Sequence, residues 1–397
     1  MGETGAVCTG FFAEIRLVCI YCRVPKGLFS ARLAENRRRA EPKDGKRDFM
    51  KLTKKIAGLV LSAALLAASA GCAGQPAASS SAVEAPQSST ASAAEKTQMR
   101  VGVLKGPTGL GMLQVMENNN QKIAANEYAF TVAGSPDEVV AKLVSGELDA
   151  AAVPTNLAAT LYNKTKGGVQ LAAINTLGIL YLVTSDESIK SIADLKGKTV
   201  YSSGQGAVPE YALDYILTAN GLKDDVKVEY LAEHSEVASQ LLAGKIATAV
   251  LPEPFVTQVT TKDAKLKSAL DLTDEWERAV QKADQGSSVL TMGALVVRSE
   301  FVKQNQGAFD SFLSEYQKSV NYVNQNPQPA GTLSEKYDIM PAAVAQKAIP
   351  NCNIVFIAGD DMRVKTEDFL KVLYEYNPKS IGGAFPKDDF YYLNTAG

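Results

Sequence analysis

At 397 residues, with 46% apolar and 21% charged content, the chain is long enough to bury one large core or two ordinary ones, which excludes disorder as its general state. The formal net charge of -2 hides an asymmetry, because residues 1–71 hold 13 of the 41 Lys/Arg and 6 of the 43 Asp/Glu, leaving 28 basic against 37 acidic residues beyond them. An acidic remainder without a basic run excludes nucleic acid as a partner.

The chain order begins with addressing segments. From Met50 the sequence reads MKLTKKIAGLVLSAALLAASAGC: three lysines precede the uncharged stretch Ile56–Ala70, which is the polarity and length of a secretory signal peptide and too short for a comfortable membrane span. Ser69-Ala70-Gly71-Cys72 resembles the bacterial lipobox, which implies lipidation at Cys72 and an anchor on the outer face of the cell membrane. Residues 1–49 have no role in that scheme and read as an over-extended start, with 50–71 as the signal peptide. Residues 72–98, rich in Ser, Ala, Pro and Gln, read as a flexible tether. Of the five cysteines, Cys8, Cys19 and Cys22 fall before the expected cleavage point, so Cys72 and Cys352 supply no disulfide framework. With His234 the single histidine, Cys19 and Cys22 make half a zinc site at most, and no metal or cofactor is expected.

An internal repeat organises the chain beyond the tether. Residues 138–154, EVVAKLVSGELDAAAVP, and 236–252, EVASQLLAGKIATAVLP, align at an offset of 98, and the same offset places the strand at Val101–Gly106 on Thr199–Gly204. Each copy predicts strand, glycine loop, helix, strand, helix, strand. The first copy predicts strands at Arg100–Leu104, Tyr128–Ala133 and Asp149–Val153, with helices from Leu110 and from Ser135-Pro136-Asp137, where Ser caps and Pro opens the first turn. The second predicts strands at Lys198–Ser202, Lys227–Leu231 and Ala247–Leu251, with helices at Ala207–Asn220 and Ser235–Ala243. Apolar runs at Leu177–Thr184 and Gly293–Arg298 flank the second copy, as a chain that crosses to another lobe and returns requires. Helices near Phe309–Asn324, Pro341–Lys347 and Thr366–Tyr376 are expected to complete the first lobe. Strands alternating with helices predict an α/β fold, each lobe a mainly parallel sheet flanked by helices.

Asp194-Leu-Lys-Gly-Lys-Thr-Val200, the helix end SGELDAAAVP and the strand ALVVRSEFVKQN resemble the type II periplasmic binding proteins of ABC importers, most of all the subgroup serving sulfonates, nitrate and the pyrimidine precursor of thiamine. The likeness covers residues 99–330. It implies two lobes joined by a hinge crossover near Thr184 and Met292, with lobe 1 from 99–184 plus 293–397 and lobe 2 from 185–292. It also implies a monomer that hands a small-molecule solute to ABC permease subunits.

In such sheets a ligand lies beyond the carboxyl ends of the strands. That rule selects Lys105, Gly106, Pro107, Thr108, Ser135, Thr155, Asn156, Asn175 and Thr176 from the first lobe, and Ser202, Ser203, Gly204, Gln205, Glu253 and the Glu233-His234 loop from the second. Ser202–Gly206 precedes a helix whose free NH groups and dipole suit an anionic or carbonyl group. Glu253 between two prolines suits the NH groups of a pyrimidine or amine, and Asn156 has the donor and acceptor for a neutral heterocycle. Tyr181 and Tyr201 either stack on a ring or finish a core. The absence of an Arg from these loops favours a neutral or zwitterionic organic solute. Gly204-Gln-Gly206 is not a dinucleotide fingerprint, since Pro209 stands where the third glycine belongs, and Gly197-Lys-Thr199 lacks the upstream glycine of a P-loop. No GxSxG elbow is present, so a binder is favoured over an enzyme. The alternatives are a dehydratase of the menaquinone pathway on the same fold, against which the export signal weighs, and a ligand-sensing lipoprotein.

Overall fold

The computed structural model describes residues 96–393. The expected start, signal peptide, lipidated Cys72 and nearly all of the tether lie outside the described residues.

β1 (Gln98–Leu104) ends at Gly106, whose φ of 137° suits glycine, and Pro107 then opens α1 (Pro107–Gly111), followed by α2 (Leu113–Asn120) and β2 (Glu127–Ala133). α3 (Pro136–Ser145) stops at Gly146 in the left-handed region and leads into β3 (Ala150–Pro154), α4 (Thr155–Thr165) and β4 (Val169–Leu177). β5 (Leu180–Thr184), β6 (Thr199–Ser202), α5 (Val208–Ala219), β7 (Lys227–Tyr230), α6 (His234–Leu242) and β8 (Thr248–Pro252) come next. They are followed by α7 (Phe255–Lys262), β9 (Lys267–Asp271), α8 (Leu272–Lys282) and β10 (Thr291–Arg298). The tail is α9 (Ser299–Gln325), α10 (Pro327–Lys336), α11 (Ala342–Ala348), β11 (Ile354–Ile357) and α12 (Gly359–Tyr376).

Two sheets result, ordered β11-β4-β10-β3-β1-β2 and β7-β6-β8-β5-β9. The repeat is visible in both: β1 pairs in parallel with β2 and β3, and β6 pairs in parallel with β7 and β8. Beside each unit runs one antiparallel strand, β10 on β3 and β5 on β8. β10 and β5 therefore occupy equivalent places in the two lobes, each being the first strand after the chain changes lobe.

The pairing moves one lobe boundary. The sequence pattern has the chain leave the first lobe near Thr184, but β5 hydrogen-bonds β8 and β9 of the second sheet, so the outward crossing is Gly178-Ile179. The return lies between α8 and β10, close to the expected Met292. Gly178 is held from both sides: Asn353 Nδ2 donates to its carbonyl at 3.1 Å, and a Cβ built on it would stand 2.2 Å from Thr273 Oγ1 of α8. Gly178→Val is therefore expected to cost about 1–3 kcal/mol, read as a lower urea midpoint; an unchanged midpoint would show that the crossing tolerates bulk.

The tail also departs from expectation. α9 and α10 pack on the first lobe and α11 also touches α7 of the second, but α12 lies behind both lobes, so that one apolar core runs from β4 and β10 through α12 into α5 and α8. Its centre is Trp276 of α8, fully buried between Tyr215 of α5 (centroids 4.9 Å apart) and Phe369 of α12 (5.5 Å), with its indole NH donating to the Ser288 carbonyl at 3.0 Å. Tyr376 stands edge-on to Tyr215, and Gln285 Nε2 donates to Glu375 at 2.9 Å. Burial on this scale fixes the backs of the lobes against each other.

Candidate ligand-binding cleft

Between the carboxyl ends of the two sheets lies a cavity of about 150 Å³, the size of the site for a single small ring. Lobe 1 contributes Leu104–Thr108 from the end of β1 into α1, Gly134–Pro136 from β2 into α3, Val153-Pro154 at the end of β3, and Thr176, Met292 and Gly293 where β4 and β10 adjoin. Lobe 2 contributes Ser203-Gly204, Ala207 and Pro209 before and within α5, Ala232–His234 at the start of α6, and Pro252–Phe255 from the end of β8 to the start of α7. Ile179 of the crossing forms part of the floor.

Of the residues selected from sequence, Lys105, Gly106, Pro107, Thr108, Ser135, Thr176, Ser203, Gly204 and Glu253 line this cleft, as do Glu233 and His234. Thr155, Asn156, Asn175, Ser202 and Gln205 do not, each for a local reason. α4 begins directly at Thr155, which carries Thr155 and Asn156 into a fully buried first turn. There the Asn156 amide donates at 3.0 Å to both the Gly206 and Ser380 carbonyls, tying lobe 1 to lobe 2 and to the tail. Asn175 is fully buried behind Gly293 of β10, at a point where β4 and β10 shift register, and its Oδ1 accepts from the Thr176 hydroxyl at 3.2 Å. Ser202 is buried within β6, and Gln205 is exposed at the loop tip. Tyr181 and Tyr201 pack against the apolar core of lobe 2. Cys352 is fully buried, and burial pushes its thiol pKa up.

Chain folding also supplies lining residues that sequence reasoning does not select, chiefly Ile179, Pro209, Phe255 and Met292. Phe255 is recoverable as the next residue but one after Glu253. Ile179 stays hidden for as long as the crossing is drawn near Thr184.

Three helix N-termini of lobe 2 point at the cleft, and each already holds a carboxylate. The Gly206 NH before α5 donates to Glu210, the Ala232 NH before α6 donates to Glu236 Oε2 at 3.3 Å, and the Thr257 NH in α7 donates to Glu253 Oε2 at 3.0 Å. The positive ends of the helix dipoles are thus answered by the protein's own anions. The one cation in the lining, Lys105, is paired at 2.9 Å with Asp338. Glu253 is 4% exposed and its pKa is raised by burial, with the two hydrogen bonds from Thr257 pulling the other way.

Ser203 Oγ and His234 Nδ1 meet at 2.5 Å across 31 residues of sequence, with the imidazole tilted over Phe255 at 5.6 Å between ring centroids. Burial lowers the His234 pKa from 6.5 to about 4, so the ring is neutral at pH 7 and offers one donor and one acceptor nitrogen.

The lowered pKa has a signed consequence. Between pH 6.5 and 4 the unfolded chain binds a proton at His234 that the folded chain refuses, so stability falls as pH drops through that window. Glu253 acts in the opposite sense, because its raised pKa stabilises the fold below its unfolded value and that contribution disappears as pH rises through the folded one. His234→Gln is expected to lose on the order of 2 kcal/mol less stability than the native chain between pH 6.5 and 4, measured by urea denaturation. Parallel profiles for the two proteins would contradict this.

Among the described residues, no group of three His, Cys, Asp or Glu side chains is placed to hold a metal ion, and no helix is long and apolar enough to cross a membrane.

Residues 169–330 match the family model described as NMT1/THI5 like. No curated protein matches the sequence. Among solved structures, an ABC transporter from Parabacteroides distasonis is 27% identical with a TM-score of 0.61, covering 75% of this chain and 100% of that one. The periplasmic aliphatic sulphonate binding protein SsuA from Escherichia coli is 14% identical with a TM-score of 0.58, covering 74% of this chain and 94% of that one. The periplasmic nitrate-binding protein NrtA from Synechocystis PCC 6803 is 13% identical with a TM-score of 0.52, covering 71% and 82%. The chain thus carries an NMT1/THI5-like segment on the two-lobed α/β fold of the periplasmic binding proteins of ABC transporters, the subgroup its sequence resembles.

Proposed function

We propose that the chain is an extracytoplasmic solute-binding lipoprotein, anchored through Cys72 and monomeric, that closes its two lobes over a small neutral or amine-bearing ring compound and delivers it to an ABC permease. The observation that carries the choice of solute is the self-capping of lobe 2. Glu210, Glu236 and Glu253 already fill the anion positions at three helix N-termini, and Asp338 neutralises Lys105. A sulfonate or nitrate entering this cleft meets carboxylates and no unpaired Lys or Arg among its lining residues, whereas a pyrimidine finds an acceptor in Glu253, a ring nitrogen of His234, and the hydroxyl of Ser135, which makes no cap to α3.

Binding is favoured over catalysis because the Ser203–His234 pair has no carboxylate on its far side. His234 makes no other hydrogen bond among the described residues, and the adjacent Glu233 accepts instead from Ser235 at 3.0 Å. A pair of this kind reads a ligand's donors and acceptors without being oriented as nucleophile and base.

Thermal-shift screening against a solute library tests the reading. Neutral or amine-bearing rings at a hundred times their Kd are expected to stabilise the fold by about 2.7 kcal/mol, a rise of roughly 5–10 °C for a body of this size. A rise with sulfonates or nitrate alone would contradict the assigned solute class.

A further inference from the structure

Beside the inner cavity lies a second chamber of about 430 Å³, and the two share Lys105, Pro254 and Phe255 as a common wall. Its other walls come from both lobes and are mixed: Ser239 of α6 and Gln258 of α7 face Glu335 of α10 and Asp338 just beyond it, and Ile339, Met340, Pro341 and Val344 add an apolar strip. Glu335 is exposed and pairs with no cation among the described residues, and Asp338 takes the only lysine of the wall. The chamber therefore offers hydroxyl, amide and carboxylate groups with a net negative charge beside an apolar strip, the surface that a sugar-like arm with polar edges and an apolar face fits. The inner cavity has room for little more than a ring, and a longer solute finds this adjoining space just past Phe255.

Resting on the proposed reading of the inner cleft, we infer that the solute is bipartite: a ring in the inner cavity and a hydrophilic arm, neutral or cationic, in the outer chamber between α6, α7 and α10. The arm touches both lobes, so it strengthens the closed form beyond what the ring alone achieves. The carboxylates make the chamber poor for a phosphate or carboxylate arm. Nucleosides have the required shape and charge, and nucleotides do not.

Calorimetric titration of the chain with cytosine, cytidine and cytidine 5'-monophosphate separates these statements. Cytidine is expected to bind at least tenfold tighter than cytosine, and the monophosphate at least tenfold weaker than cytidine. Ser239→Trp, which fills the chamber from an exposed helix position, is expected to bring the cytidine-to-cytosine affinity ratio to about one. Glu335→Lys is expected to improve the monophosphate relative to cytidine. If cytosine binds and cytidine binds no tighter, or if Ser239→Trp leaves the ratio unchanged, the outer chamber has no role and the reading of the inner cleft stands. If none of the three binds, the bipartite solute is overturned, and the inner cleft is judged by the library screen alone.

Discussion

Trp276→Ala is expected to lower the melting temperature by roughly 10 °C. Removing a buried Trp costs about 3–5 kcal/mol, and in a body of this size each kcal/mol corresponds to about 2–4 °C. The position has particular weight because the indole is the central contact of a core shared by both lobes and the tail. Its loss opens a void between Tyr215 and Phe369 and leaves the Ser288 carbonyl without its donor. Trp276→Phe retains most of the ring contact but not the hydrogen bond, and is expected to lose less than half as much. A fall below 3 °C for the alanine variant would mean that α12 is not the strut that holds the lobes together at the back.

The second large effect is on binding. Gly134→Trp is expected to weaken the solute found by screening at least a hundredfold, equivalent to about 2.7 kcal/mol, with the melting temperature of the free protein within 2 °C of native. Gly134 is exposed on the first lobe, and a Cβ there would lie 3.9 Å from Glu233 Oε1 on the second, with no closer neighbour. An indole built on it has space in the open cleft but occupies the volume the lobes must enclose. Titration calorimetry reads the loss. An affinity within threefold of native would place the solute elsewhere.

The architecture is legible in the sequence because duplication left two copies of the same local pattern, and local patterns fix strands and helices. Ser135-Pro136, Gly146 and Pro154 mark element ends through backbone geometry that any fold must respect, and the corresponding elements form at those places. Non-local pairing is not legible. The apolar run ending at Thr184 satisfies either sheet, and only the partners β8 and β9 show which one it joins. α12 likewise has a helical pattern that does not disclose that its buried face meets Trp276.

The cleft is legible to the extent that the carboxyl ends of strands are legible, which is why Lys105–Thr108, Ser203-Gly204 and Glu253 line it. Side-chain direction at those ends is not. Asn175 and Thr176 are neighbours on one strand and only the second faces the cleft, while Asn156 turns into the protein with the first turn of α4. The helix N-terminus after Ser202–Gly206 suits an anion by sequence, but the structure places Glu210 upon it. A signal for that is present, since Glu210 and Glu236 each lie four residues beyond the NH they accept from, the spacing at which a side chain reaches back over the first turn.

A small neutral or amine-bearing ring held between the two lobes is the claim on which the rest depends. A crystal structure of the chain with the best-stabilising solute tests this directly: the ring should lie within hydrogen-bond reach of Glu253 or His234 on one lobe and of Ser135 or Thr176 on the other. A solute bound to one lobe alone, or outside the cleft altogether, would contradict it.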